Sequence, residues 1–226
     1  MQYDIWEKEY RRLSLLTAKS EPQKDIIRFI KFLKRQRQTT PIGLRVLDLG
    51  SGTGRNTNFF QSLKNNCVGM EISDTAICMA RKRARDDSLA TIFINHNIGS
   101  LYPFDNNSFD LLLDITSSNS LNEEERNIYL KESHRVLKPT GYFFVKALCL
   151  DGDKNAHNLI KLSPGHSKDT YIMPELNLEE REFSHQDFID TYSKYFKILK
   201  LGRKTSYTQF NGRSYKRNFW IAYLTK

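Results

Sequence analysis

Val46-Leu47-Asp48-Leu49-Gly50-Ser51-Gly52-Thr53-Gly54-Arg55-Asn56 decides how the rest of the chain is read. An apolar run ends in three glycines at alternate positions, and a polar stretch that reads as a helix, Asn56 to Leu63, follows. Glycine adopts left-handed backbone angles at little cost and leaves bare peptide for a ligand to lie against. A glycine trio alone also occurs in ordinary turns. Here it stands after a strand and before a helix, the context a ligand-cradling loop requires.

Working outward, strand and helix keep alternating. Leu44–Leu49 is the first strand and Cys67–Ile72 the second. Asp74 to about Arg85 is a helix that Ser73 or Asp74 can cap. Thr91–Asn95 is a third strand. Phe109–Ile115 is a fourth, nearly all apolar, as a strand covered on both faces of a parallel sheet is. A helix from about Glu123 to Leu137 has Asn122 as cap and three glutamates in the first turn, where the helix dipole favours them. Lys138-Pro139-Thr140-Gly141 stops it, and Gly141–Leu150 is a fifth strand. This alternation predicts a parallel α/β sheet with right-handed crossovers. Ligands of such sheets bind beyond the carboxyl ends of the strands.

The flanks are less regular. Residues 4–19 read as a helix carrying Trp6, Tyr10, Leu13, Leu15 and Leu16, and a second helix runs from Pro22 to about Thr39. Residues 151–183 read as irregular and polar. Ser184 with Asp187 opens a helix to about Tyr195 in capping-box style. Strands at about 197–204 and 217–225 close the chain. The expectation is one domain over residues 1–226. It comprises a helical cap (1–40), a cofactor-binding core (44–150), a substrate-side insertion (151–183) and a closing helix and hairpin (184–226). The fold class is α/β: a Rossmann-like, seven-stranded, mostly parallel sheet with helices on both faces and its last strand antiparallel.

Composition narrows the class. The chain has 226 residues, 39% apolar and 27% charged, with 12% aromatics and 6 prolines, which is a globular balance. No apolar run approaches the ~20 residues of a membrane span, and the first residues lack signal-peptide order, so the expected location is the cytoplasm. Cys67, Cys78 and Cys149 are too few and too scattered for a disulfide framework or a metal site, and read as buried small side chains. Net charge is +9, and the segment from Thr191 to Lys226 holds nine Lys or Arg and no acid. Basic groups there alternate with Tyr207, Phe210, Tyr215, Phe219 and Trp220, a mixture that suits single-stranded nucleic acid. The plainer reading is a solvated face with some aromatics in the core.

Glu71 ends the second strand, where an acid can accept the hydroxyls of a ribose. At this point the sequence resembles the class I S-adenosylmethionine-dependent methyltransferases. The resemblance covers about residues 44–150. Asp48–Gly54 resembles the nucleotide loop and Glu71 the ribose-binding acid. Pro103-Phe104-Asp105-Asn106-Asn107-Ser108-Phe109-Asp110 resembles the turn before the fourth strand, and Arg135–Gly141 the lead-in to the fifth. The alternative, a nicotinamide dinucleotide, fits less well. Its loop wants GxGxxG, the third glycine here comes one residue early, and Asp48 would repel a pyrophosphate.

The resemblance implies S-adenosylmethionine as cofactor and S-adenosylhomocysteine as product. It implies a cofactor site of Asp48, Gly50, Ser51, Gly52, Gly54, Asn56, Glu71, Ile72, Asn97, Ile98, Asp114 and Ile115, with Tyr10 from the cap and no metal. Asp48 would lie near the cofactor ammonium. Where the family places an acid to read adenine, this chain has Asn97, or Asn95, whose amide can meet the same edge. Asp114 is the candidate to orient the acceptor or hold the ammonium, with residues 116–120 lining the pocket. The segment is not the Asn-Pro-Pro-Tyr motif of nucleic-acid amino-group methyltransferases. No catalytic base stands out. His134 reads as structural, His96 has no role, and His157, His166 and His185 read as surface residues.

The expected acceptor is a small molecule enclosed by the cap and the 171–176 segment, in a monomer or homodimer. The alternatives are RNA or a protein side chain recruited by the basic end, or a cofactor-binding protein without catalysis.

Overall fold

A computed structural model describes residues 2–12, 21–173, 176–210 and 213–226, leaving out the side chains of 208–210 and 213. Leu13, Leu15, Leu16, Pro174, Glu175 and the side chain of Phe210 lie outside the described residues.

The elements in chain order are α1 (Gln2–Arg12), α2 (Lys24–Arg37), β1 (Arg45–Leu49), α3 (Arg55–Ser62), β2 (Asn66–Glu71), α4 (Asp74–Asp86), β3 (Ile92–Asn95) and β4 (Phe109–Ile115). A short 3-10 turn (Ser118–Ser120) follows, then α5 (Glu123–Val136), β5 (Leu137–Leu148), α6 (Lys154–Leu162), β6 (Thr170–Met173), β7 (Leu178–Arg181), α7 (His185–Tyr192), β8 (Lys197–Phe210) and β9 (Arg213–Thr225). The main sheet has seven strands in the order β3-β2-β1-β4-β5-β9-β8. β1 to β5 are parallel, and β9 runs antiparallel to both β5 and β8.

Alternation along each strand sorts the core into two layers, as the period of two requires. Val46, Leu111, Leu113 and Phe144 face α2 and α3, where they meet Ile26, Phe29, Leu33 and Phe60. Leu47, Leu49, Leu112, Phe143 and Val145 face α5 and α7, meeting Tyr129, Leu130, Phe188 and Tyr192. A strand buried on both faces cannot alternate polar with apolar, which is why β4 reads as a continuous apolar run.

The caps form at the expected residues. Ser73 Oγ accepts from Ala76 N–H, Asn122 and Glu125 form a reciprocal capping box, and Ser184 Oγ accepts from Asp187 N–H. Three expectations are corrected. Residues 151–183 are not irregular: Asp153 caps α6 through Asn155 N–H and Ala156 N–H, and β6 and β7 pair as a separate hairpin. The polarity that suggested a loop belongs to a two-stranded ribbon whose residues are buried or half-buried. The closing hairpin is also longer than expected, its register running from Lys197↔Thr225 out to Phe210↔Arg213, past the last β5 partner, Phe219. Finally, Cys67 and Cys149 are buried but Cys78 is exposed, on the outer face of α4.

Candidate cofactor site

The glycine loop leaves β1 at the centre of the sheet, and each glycine has its own reason to be one. Gly50 (φ +70°) faces Ser117, whose Cβ would lie 2.3 Å from an added Cβ. Gly52 (φ +53°) lies beneath Tyr10, whose hydroxyl would be 2.8 Å from an added Cβ. Gly54 (φ +77°) precedes α3, and a side chain there would strike Ala80 and Phe93. Gly54 therefore serves helix packing, whereas Gly50 and Gly52 let Ser117 and Tyr10 close onto the backbone at the carboxyl end of β1. Gly69 was not singled out from sequence. A Cβ on it would approach Phe93 at 2.6 Å and Ser51 Oγ at 2.7 Å, so it lets the loop settle onto β2.

Three carboxylates converge behind this loop. Asp48 and Asp114 end neighbouring strands, their backbones offset by one position, Asp48↔Leu113 and Leu49↔Asp114. Asp48, 2% exposed, accepts from Thr57 Oγ1 at 2.6 Å. Burial pushes its pKa up to about 7; the Thr57 bond opposes this, and the charges of Asp114 and Glu71 add to it. Glu71 ends β2. Its Oε2 accepts from Gly52 N–H at 2.9 Å, and its Oε1 from the N–H groups of Ile72 and Ser73. Burial raises this carboxyl as well, against those three donors. Each carboxylate oxygen has two lone pairs, so one position on Oε2 is open to a further donor.

Asp114 is fully buried and held through both of its oxygens. Oδ1 accepts from Ser117 N–H, Ser117 Oγ and Ser118 N–H, and Oδ2 from Tyr129 OH at 2.7 Å. Its geometry is that of a pin for the turn after β4. Arg126, buried in α5, grips the same turn from the other side, donating to the carbonyls of Ser118 and Leu121. Between them Thr116 is held at φ +67°, which a β-branched residue rarely adopts. Ile115 and Ser117 are partly exposed beside it.

The remaining expected residues are dispersed. Asn56 Oδ1 accepts from Gln23 N–H and so ties the start of α2 to α3. Asn97 Oδ1 accepts from Gly99 N–H in a tight turn, and Asn95 Nδ2 donates to Ile72 O and Asp74 Oδ1. Ile98 is a core side chain whose carbonyl accepts from Tyr102 OH. His157, His166 and His185 are exposed, and His134 stacks against Tyr195 and Phe196. Among the described residues no His, Cys, Asp and Glu cluster could hold a metal.

α1 crosses the mouth of this crevice. Gln2 donates to Ser120 O and Glu125 Oε2, Tyr3 donates to Asp74, and Tyr10 covers Gly52. Trp6 and Tyr10 share a face, their ring centroids 6.2 Å apart. Sequence reasoning missed Glu7, the residue that fastens the helix. Its carboxylate accepts from Ser73 Oγ, Thr75 N–H and Thr75 Oγ1 at the start of α4, and pairs with Arg11. Burial would raise its pKa, but these donors outweigh burial and hold it at about 2. The signal was present: Tyr3, Glu7 and Tyr10 recur at helical spacing, but an acid on a buried stripe reads as an error until its partners are known.

The sequence comparison decides what this crevice is. Residues 47–145 match the family model described as a methyltransferase domain. Over those residues the chain is similar to a methyltransferase domain. The ubiquinone/menaquinone biosynthesis C-methyltransferase of Shewanella sp. (strain ANA-3) is 34% identical over 125 residues, covering 53% of this chain and 47% of that protein. The chain thus spans about half the length of the curated relatives it matches. A methyltransferase structure from Methanosarcina mazei superposes with a TM-score of 0.73 at 20% identity, covering 85% of this chain and 96% of that one. The Burkholderia thailandensis 1,6-didemethyltoxoflavin-N1-methyltransferase, with that compound and S-adenosylhomocysteine bound, superposes with a TM-score of 0.62 at 17% identity, covering 90% and 79%. These likenesses concern the fold. Gly50, Gly52, the Glu71 carboxylate and the buried Asp48 meet at the carboxyl end of β1. No described helix is long and apolar enough to cross a membrane.

The basic carboxyl-terminal segment does not form one continuous surface. Phe219, Trp220 and Tyr223 are core residues, Arg217 is buried against Glu182, and Lys204 pairs with Asp25. Tyr207 and Lys216 remain exposed on the overhanging end of the hairpin.

Proposed function

We propose that the chain, acting as a single methyltransferase domain in the cytoplasm, transfers a methyl group from S-adenosylmethionine to a small-molecule acceptor. The observation that carries this is the glycine cradle lying between Glu71 and Asp48. When bound, the cofactor supplies an electrophilic methyl group, and transfer then needs alignment and exclusion of water more than acid–base help. Glu71 Oε2 would accept a ribose hydroxyl, and Asp48 would balance the ammonium. The backbone around Asn97 and Ile98 would meet the adenine. Asp114, buried and bonded to Ser117, Ser118 and Tyr129, would act by fixing Thr116 and Ser117 beside the reacting carbon rather than by taking a proton. α1 would close over the cofactor through Tyr10. A small acceptor is favoured over RNA because Lys204 and Arg217 of the carboxyl-terminal hairpin are held in internal ion pairs and Phe219, Trp220 and Tyr223 lie in the core.

The test is calorimetry with S-adenosylmethionine, S-adenosylhomocysteine and NADH. The first two should bind at micromolar concentrations and NADH not at all. Glu71→Ala should weaken binding by ~1–3 kcal/mol through lost charge-assisted bonds. Wild-type affinity in that variant, or binding of NADH alone, would remove the reading.

A further inference from the structure

Lys146 is a buried ammonium that the methyl-transfer chemistry above does not use. It lies near the carboxyl end of β5, opposite Ile115 in β4, and its carbonyl accepts from Thr116 N–H. Its side chain is 11% exposed and points to the α2 face of the sheet, the face that also carries Asp48. β1 and β5 flank β4, so their backbones are roughly 10 Å apart. Nζ donates to Gln23 Oε1 at 2.9 Å and lies 4.5 Å from the centre of the Phe219 ring. Gln23 N–H in turn donates to Asn56 at the start of α3. Two hydrogen bonds therefore link this ammonium to the helix that leaves the glycine loop.

The surrounding charge does not balance. Asp25, 3% exposed, is approached by Lys204 at 2.6 Å and by Lys146 and Arg28 at 3.6 Å each. Three cations share one carboxylate. Burial lowers the Lys146 ammonium to about 8; Asp25 opposes this, and Lys204 and Arg55 add to it. Lys204 and Arg28 would satisfy Asp25 without Lys146. An ammonium removed from water needs compensation, and a methionine of similar length would pack there without that cost. Nζ has three donors and one of them is matched at hydrogen-bond distance.

We infer that Lys146, flanked by Lys204 and Arg28 around Asp25, is an anion subsite that recognises a carboxylate or phosphate group on the methyl acceptor. The inference rests on the methyltransferase reading and deepens it by naming the acceptor class. Phe219 would form the apolar wall of the subsite, and Gln23 would share the anion with Lys146.

The experiment works with an unidentified acceptor. A cell-free small-molecule extract is split on an anion exchanger into retained and unretained fractions. Each is incubated with the full chain and methyl-labelled S-adenosylmethionine. Label is expected in compounds of the retained fraction. Lys146→Met should raise the half-saturating amount of that fraction by about 10- to 100-fold, the loss of a charged hydrogen bond. Cofactor affinity should stay at the wild-type value, and Tm should hold or rise. Lys146→Arg should recover most of the acceptor affinity. A structural ion pair would instead lower Tm in Lys146→Met and leave acceptor saturation unmoved, which overturns the inference. Label confined to the unretained fraction overturns it too, and leaves the methyltransferase reading standing. Failure of the wild-type chain to bind S-adenosylmethionine overturns both.

Discussion

The half of the sheet around the glycine loop and the half beyond β5 are held by different forces. In the first, β1, β2 and β4 meet through backbone geometry: glycines at positive φ, and carboxylates whose partners are mainly N–H and O–H groups of adjacent turns. In the second, β7, β9 and α6 meet through a buried ionic network. Arg217 pairs with Glu182, which is 0% exposed, and donates to Tyr171 OH, which itself donates to Glu180. Burial drives the Glu182 carboxyl up against the pull of Arg217, and Glu180 and Asp153 push the same way. A geometric cradle keeps a surface open for a ligand. A charged network closes a region and fixes its neighbours.

Breaking the first half should have the largest effect. Gly50→Val sets a branched side chain against Ser117 at a left-handed position. It should cost roughly 2–6 kcal/mol from strain and overpacking, and calorimetry should find no cofactor binding. A variant that binds normally would show that this backbone is not the cradle. In the second half, Arg217→Met strands Glu182 and should cost about 3–5 kcal/mol in denaturant unfolding. Adding Glu182→Gln should return much of that loss. If the double variant is no better than the single, the network is not what holds the ribbon.

The smallest effect concerns Asp48 and sharpens the comparison by pH. Its folded pKa, about 7, lies above the ordinary carboxylate value. In the free protein its ionisation therefore costs stability as pH rises from about 4 toward 7. A cationic ligand end favours the ionised form, so affinity for S-adenosylmethionine should rise up to ~10-fold per pH unit below 7 and level off above it. Asp48→Asn should bind more weakly and flatten that profile. An unchanged profile would move the ammonium elsewhere.

The two halves also differ in how far sequence reveals them. β1 to β4 were legible because a parallel sheet imposes local rules: apolar runs, glycine turns and caps such as Asn122 and Ser73. The same rules put Glu71 at the end of the second strand. They did not reveal that Asn56 is committed to Gln23, or that Asp114 is tied to Tyr129, because those facts depend on partners on other elements. The ribbon β6–β7 was missed for a related reason. Glu180 and Glu182 read as solvent-facing acids until Arg217 and Tyr171 are brought to them. Lys146 likewise looked like one charge in a strand, and its meaning lies in Asp25 and Gln23, more than a hundred residues earlier.

The docking of α1 also orders events during synthesis. Gln2 reaches residues 118 and 123 positions away, and Glu7 reaches residues 66 and 68 positions away. The helix leaves the ribosome before every surface that receives it. It must wait, with its acid and aromatics uncovered, until α4 and the start of α5 exist. Long-range closure of this kind is slow and exposes apolar groups meanwhile. The crevice is thus completed by a helix made before the sheet and turns that receive it.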